Sequence, residues 1–140
     1  MDENLFKQRT KRLALRIIEI VESLPKNRTA DVLGRQLLRS GTSMGANYRA
    51  ACRGKSTADV IAKLRIVEKE ADESIYWMEL LIESGLVSQT RLSELLQETN
   101  EILAMTVSSI RTLQRRGASS PINPQSKTCP ELCRRIENLK

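Results

Sequence analysis

Through its first 116 positions the chain repeats apolar residues in steps of three and four, a rhythm interrupted at Pro25, Gly54 and Gly85. That spacing belongs to amphipathic helices, whereas strands alternate in steps of two and need hairpin turn pairs, neither of which occurs. In the first segment Phe6, Leu13, Ile17, Ile20, Val21 and Leu24 share one face at about 100° per residue, and Pro25 ends it because proline cannot donate to the helical ladder. A second helix starts within 27–30, where Asn27 or Thr29 can cap, and runs to Arg53, with Gly54 as its stop. Ser56 and Asp59 form a capping pattern that opens a third, whose core face is Val60, Leu64, Val67, Ala71, Ile75, Met78 and Ile82. Ser88 caps a fourth, carrying Leu92, Leu95, Leu96, Thr99, Leu103, Thr106, Val107, Ile110 and Leu113 as far as Arg116. Four such helices on short loops predict an all-α, antiparallel up-down-up-down four-helix bundle over residues 1–116. Residues 117–140 read as a flexible, disordered tail on their small polar residues and prolines, with 130–139 able to form one short helix.

Composition removes several functions. Histidine is absent, which excludes the Ser-His-Asp triad, the Cys-His dyad and a His-ligated metal centre. Phe6, Tyr48, Tyr76 and Trp77 are the whole aromatic set, too few for a base-stacking sheet. The net charge of +6 points to a polyanion contacted through its phosphates. Its distribution is uneven. Residues 1–55 hold twelve Lys/Arg against five Asp/Glu, and residues 56–101 hold four against ten. Solvated helix faces, a basic face for RNA or DNA, and basic and acidic faces that pair between subunits all fit this division.

Three cysteines cannot all pair within one chain, and Cys52 within a helix implies a reduced thiol. Cys129 and Cys133 lack the further ligands a zinc site needs, so no metal and no cofactor are expected. The start MDENLFKQRTKR has no apolar signal core, and no apolar run approaches the roughly eighteen residues of a membrane span. A cytoplasmic protein without membrane attachment is expected.

The second helix carries the sharpest pattern. With Arg35 as origin, Arg39, Arg49 and Arg53 fall within an arc of about 80° along roughly 27 Å of helix. Leu33, Leu37, Met44, Tyr48 and Ala51 take the opposite side. Guanidinium forks suit phosphate, so this stripe can follow a nucleic-acid backbone; it also fits a solvated face or intersubunit ion pairs. Lys7, Lys11, Arg12 and Arg16 extend it on the first helix, and Arg115 and Arg116 flank it. Gly41 and Gly45, four apart inside the helix, predict close approach of another helix or subunit, since each glycine costs about 1 kcal/mol there. They are not a phosphate loop: no Gly-Lys-Ser/Thr ending and no preceding strand accompany them.

On the third helix Ile66, Trp77 and Leu80 lie away from the core face among Glu70 and Glu73, which reads as a subunit contact or as burial under a loop or the tail. Di-iron chemistry needs Glu-x-x-His pairs, absent here. Glu68 and Glu79 flank the core arc, where one can be half buried against an arginine, and nothing in the spacing supports catalysis.

The run from Arg35 to Arg53, RQLLRSGTSMGANYRAACR, resembles the second-helix signature of bacterial four-helix-bundle proteins of the 23S rRNA intervening-sequence (S23) family. AKLRIVEKEADE from Ala62 and WMELLIESGL from Trp77 continue the likeness, which covers roughly residues 4–114. The resemblance implies an antiparallel bundle assembled as a homopentamer, with no enzymatic activity. Its fold is also similar to the accessory variability protein of diversity-generating retroelements, which implies a reverse transcriptase and nucleic acid as partners. Relatives carry Asn-Ile-Ala-Glu-Gly where this chain has Asn47-Tyr48-Arg49-Ala50-Ala51, so an acidic position is lost and Arg49 gained.

Overall fold

The computed structural model describes residues 2–119 and contains α1 (Glu3–Glu22), α2 (Arg28–Ala51), α3 (Thr57–Glu83) and α4 (Gln89–Ser119). The caps act where the sequence put them. Asn27 accepts from the Ala30 amide at 2.8 Å and Ser56 from the Asp59 amide at 3.1 Å, satisfying amides the first turn leaves without a helical partner. At the end of α3, Gly85 takes φ +79°, the Leu86 amide bonds to the Leu81 carbonyl, and the Gly85 amide bonds to that of Ile82. This paired return closes the helix through a left-handed residue.

Antiparallel packing fixes which residues stand at the same level. Phe6 meets Tyr48 with ring centroids 4.2 Å apart, Thr10 lies under Gly45 and Ile17 under Gly41. Between α2 and α3 the Ser74 hydroxyl donates to that of Ser40 at 2.8 Å, both fully buried. The α2–α3 contact is the most extensive in the bundle, and the α1–α4 contact is the thinnest between helices adjacent in the bundle.

The core differs in register from the expected one on α3. Ser74 and Leu81 are fully buried, while Ile75 and Ile82 are partly covered, because the buried positions follow strict alternating steps of four and three from Val60. Thr10 and Ile102 also belong to the interior. Thr10, Thr99 and Thr106 bond their hydroxyls back to carbonyls of their own helices, which lets a polar residue occupy a dry position.

Two expectations are corrected. The fourth helix does not stop at Arg116: it passes through Gly117, whose Cα faces open space, to Ser119. Gly41 is buried inside its own chain, where an added Cβ would overlap Ile17 Cδ1, and an atom at Gly45 would lie 3.2 Å from Thr10 Oγ1. Both glycines therefore admit α1 of the same chain, which accounts for them without a subunit interface. The remainder of the expected tail, the short helix at 130–139, Cys129 and Cys133 lie outside the described residues.

Candidate nucleic-acid interface

Folding sorts nine of the ten nominated cations into two groups. Arg39, half exposed on α2, reaches α3, bonding Glu73 at 2.7 Å and the buried Glu70 at 3.3–3.4 Å. Hydrogen bonding from Arg39 holds the Glu73 carboxyl below its ordinary range, and Glu73 in turn raises Arg39. Arg35 pairs with Asp31 at 3.0 Å, Arg16 with Glu94 at 3.2 Å, and Lys7 with Glu3. These pairs are exposed or half exposed, so they hold side chains in place more than they stabilise the fold. In contrast Lys11, Arg12, Arg49, Arg53 and Arg116 are exposed and make no ion pair among the described residues. The Arg35–Arg53 stripe is thus outward-facing along its length, but its first half is engaged by carboxylates.

The cations of the second group lie in one half of the bundle. Because α1 begins, α2 ends, α3 begins and α4 ends at the same end of the bundle, residues 2–12, 45–68 and 103–119 gather there. That half holds twelve Lys/Arg against four Asp/Glu, and the opposite half (13–44 and 69–102) seven against eleven. Lys55 in the α2–α3 loop, Lys63 on α3 and Arg111 on α4 join this end without having been nominated from the sequence. The signal for them is topological: a helix connection reverses direction, so residues far apart in number arrive side by side. Arg115 also lies here, lining with Arg111, Ser108 and Asn100 an open cleft of about 510 Å³ along α4.

One cation missing from the sequence reading serves the fold. Arg9 on α1 bonds Glu98 at 2.7 and 2.9 Å and Glu101 at 2.6 Å, clamping α1 to α4 across their thin contact. The Arg9 hydrogen bond is the main cause holding the Glu98 carboxyl below its usual range.

The apolar candidates on α3 are also re-sorted. Glu70 is buried, contrary to its expected outer position, and Glu68 pairs with Arg65 at 3.7 Å while Glu79 stays exposed. Since Glu70 and Glu73 meet α2, the flank shared with Trp77 faces α2. Trp77 accordingly packs against the core periphery, its indole N–H buried without an acceptor, and does not project into solvent. Leu80 is half-buried and Ile66 remains exposed. Tyr76, its ring 5.0 Å from that of Trp77, is the exposed aromatic, near Asp72 and Glu79 in the acidic half. Among the described residues no group of three His, Cys, Asp or Glu is arranged to hold a metal, and no helix is long and apolar enough to cross a membrane.

Residues 2–108 match the 23S rRNA-intervening sequence protein family. The chain belongs to that family. A solved member of the S23 ribosomal protein family, a protein of unknown function from Bacteroides thetaiotaomicron, is 37% identical and superposes with a TM-score of 0.74. The alignment covers 79% of this chain and 99% of that one. No curated protein matches. For this intervening-sequence protein the matched segment contains α1, α2, α3 and most of α4, and nine of the twelve cations of the basic end; Arg111, Arg115 and Arg116 lie beyond it.

Proposed function

We propose that this intervening-sequence protein is a non-catalytic, nucleic-acid-associated protein that grips phosphate backbones through the basic end of its bundle. The observation that carries the reading is the gathering at one end of cations from all four helices, most of which make no ion pair among the described residues, whereas four of the seven in the other half (Arg16, Arg35, Arg39 and Lys69) pair with carboxylates. Guanidinium and ammonium groups that neutralise phosphates release the counterions condensed on the nucleic acid, so affinity is electrostatic and independent of sequence. The family's own description ties it to 23S rRNA, which makes a structured ribosomal RNA fragment the natural probe. By resemblance the working unit is a homopentamer, which would bring several basic ends to one ligand.

Fluorescence anisotropy with such a fragment over a range of KCl tests this. Binding is expected to weaken steeply with salt, and Arg49→Ala/Arg53→Ala/Lys55→Ala to weaken it further, whereas Arg35→Ala leaves it nearly unchanged. Retention of wild-type affinity by the triple variant refutes the assignment.

A second reading is favoured by Asp72, Glu79 and Glu83 on the outer side of α3, which make no ion pair among the described residues. They would let the protein act as a scaffold, receiving the basic end of a neighbouring copy or of a partner such as a reverse transcriptase. Sedimentation across the same salt series separates the two: dissociation of the assembly before loss of RNA marks the cations as assembly contacts.

A further inference from the structure

We infer that the ligand of the basic end is a double helix, RNA or DNA, gripped through its phosphates, and not a single strand; this rests on the backbone-binding reading above. Proteins that hold single strands combine a cationic groove with aromatic faces on which unpaired bases stack, and the stacking supplies much of the affinity. Here the two are separated. Phe6 and Tyr48 are buried against each other at the basic end, where their rings are closed to any base. Trp77 is packed on the core, and Tyr76, the exposed ring, stands among carboxylates in the opposite half. A base stacked on Tyr76 would bring its phosphates towards Asp72 and Glu79, where like charges repel.

The frame carrying the cations points the same way. Most of them project from helices whose axes sit about 8–10 Å apart, and those separations cannot adjust to a supple chain. A duplex likewise holds its phosphates at fixed separations, so neither partner loses much conformational freedom on contact. A single strand must be ordered against this surface, with no stacking to offset its lost entropy.

The test is competition anisotropy on the full chain with a 20-base-pair RNA duplex, the same duplex as DNA, and unstructured oligo-U. Both duplexes are expected to outcompete the single strand by roughly tenfold or more, given the stacking that is missing. The duplex salt dependence should have a log–log slope of about −4 to −5 for roughly five phosphate contacts. A preference between the two duplexes assigns the source as RNA or DNA, and equal affinity assigns the shared phosphate lattice; each supports the inference. Tyr76→Ala should alter neither duplex nor single-strand binding. Equal or tighter binding of oligo-U overturns the duplex inference while leaving the backbone reading in place. Binding to none of the three at low salt overturns both.

Discussion

Gly41→Ala sets two opposing effects against each other at a single atom. Alanine in place of glycine within α2 gains about 1 kcal/mol of helix propensity. The new methyl, however, overlaps Ile17 Cδ1 and lies 3.3 Å from Cγ2 and 3.5 Å from Cγ1. Cδ1 would have to retreat by roughly 1 Å to reach ordinary carbon–carbon contact. Ile17 is 0% exposed, so it has no solvent-facing space to move into. Overpacking of this kind costs about 1–3 kcal/mol, which outweighs the propensity and leaves a net loss of about 0–2 kcal/mol. Urea denaturation should place the midpoint of Gly41→Ala below wild type by up to about 1 M. Ile17→Val removes Cδ1 alone and by itself costs about 0.5–1.5 kcal/mol. In the double variant the overlapping atom is gone, so the pair should be about 1–2 kcal/mol more stable than the two single losses predict. An additive cycle would refute the argument that Gly41 exists to admit Ile17. So would a Gly41→Ala variant that keeps wild-type stability but sediments as a smaller species, since that outcome belongs to a subunit contact.

At Gly85 there is open space for a side chain but φ is +79°, so Gly85→Ala should lose about 1–2 kcal/mol to backbone strain, read as a lower Tm. Folding depresses the carboxyls of Glu98 and Glu73, so in acid the unfolded chain takes up protons first. Stability from these groups is present above the ordinary Glu value of about 4.3 and is lost as pH falls through the lower folded values; Glu98→Gln should flatten that decline in an acid titration followed by circular dichroism. Trp77→Glu should destabilise the fold by at least about 2 kcal/mol, because the ring packs against the core, whereas Ile66→Glu should leave the melting curve unchanged and report on assembly alone by sedimentation.

Helix positions and caps were legible because they are local: Asn27, Ser56 and Gly85 act on amides and carbonyls within a turn or two. Which flank of each helix meets which neighbour was not, since periodicity defines a buried stripe without saying on which side the next helix sits. That is why Glu70 looked external and is buried, and why periodicity left Trp77 open between a subunit contact and burial where the fold packs it against the core. The basic site was half legible. The division at residue 55 is real along the chain, but each helix pair folds back on itself, so the contrast along the sequence becomes one between the two ends of the bundle. Arg35 and Arg39 share an arc with Arg49 and Arg53 yet stand in the other half, beside Asp31, Glu70 and Glu73.

An antiparallel bundle largely cancels the backbone dipoles of its helices. The separation of charge between its two ends is therefore made by side chains, and it gives the molecule an electric moment lying along the helices. In the field of a polyanion that moment exerts a torque, turning the basic end forward within about a Debye length of the target, before any contact forms. Orientation would then be selected during approach, so added salt should slow association by shortening the distance over which the torque acts.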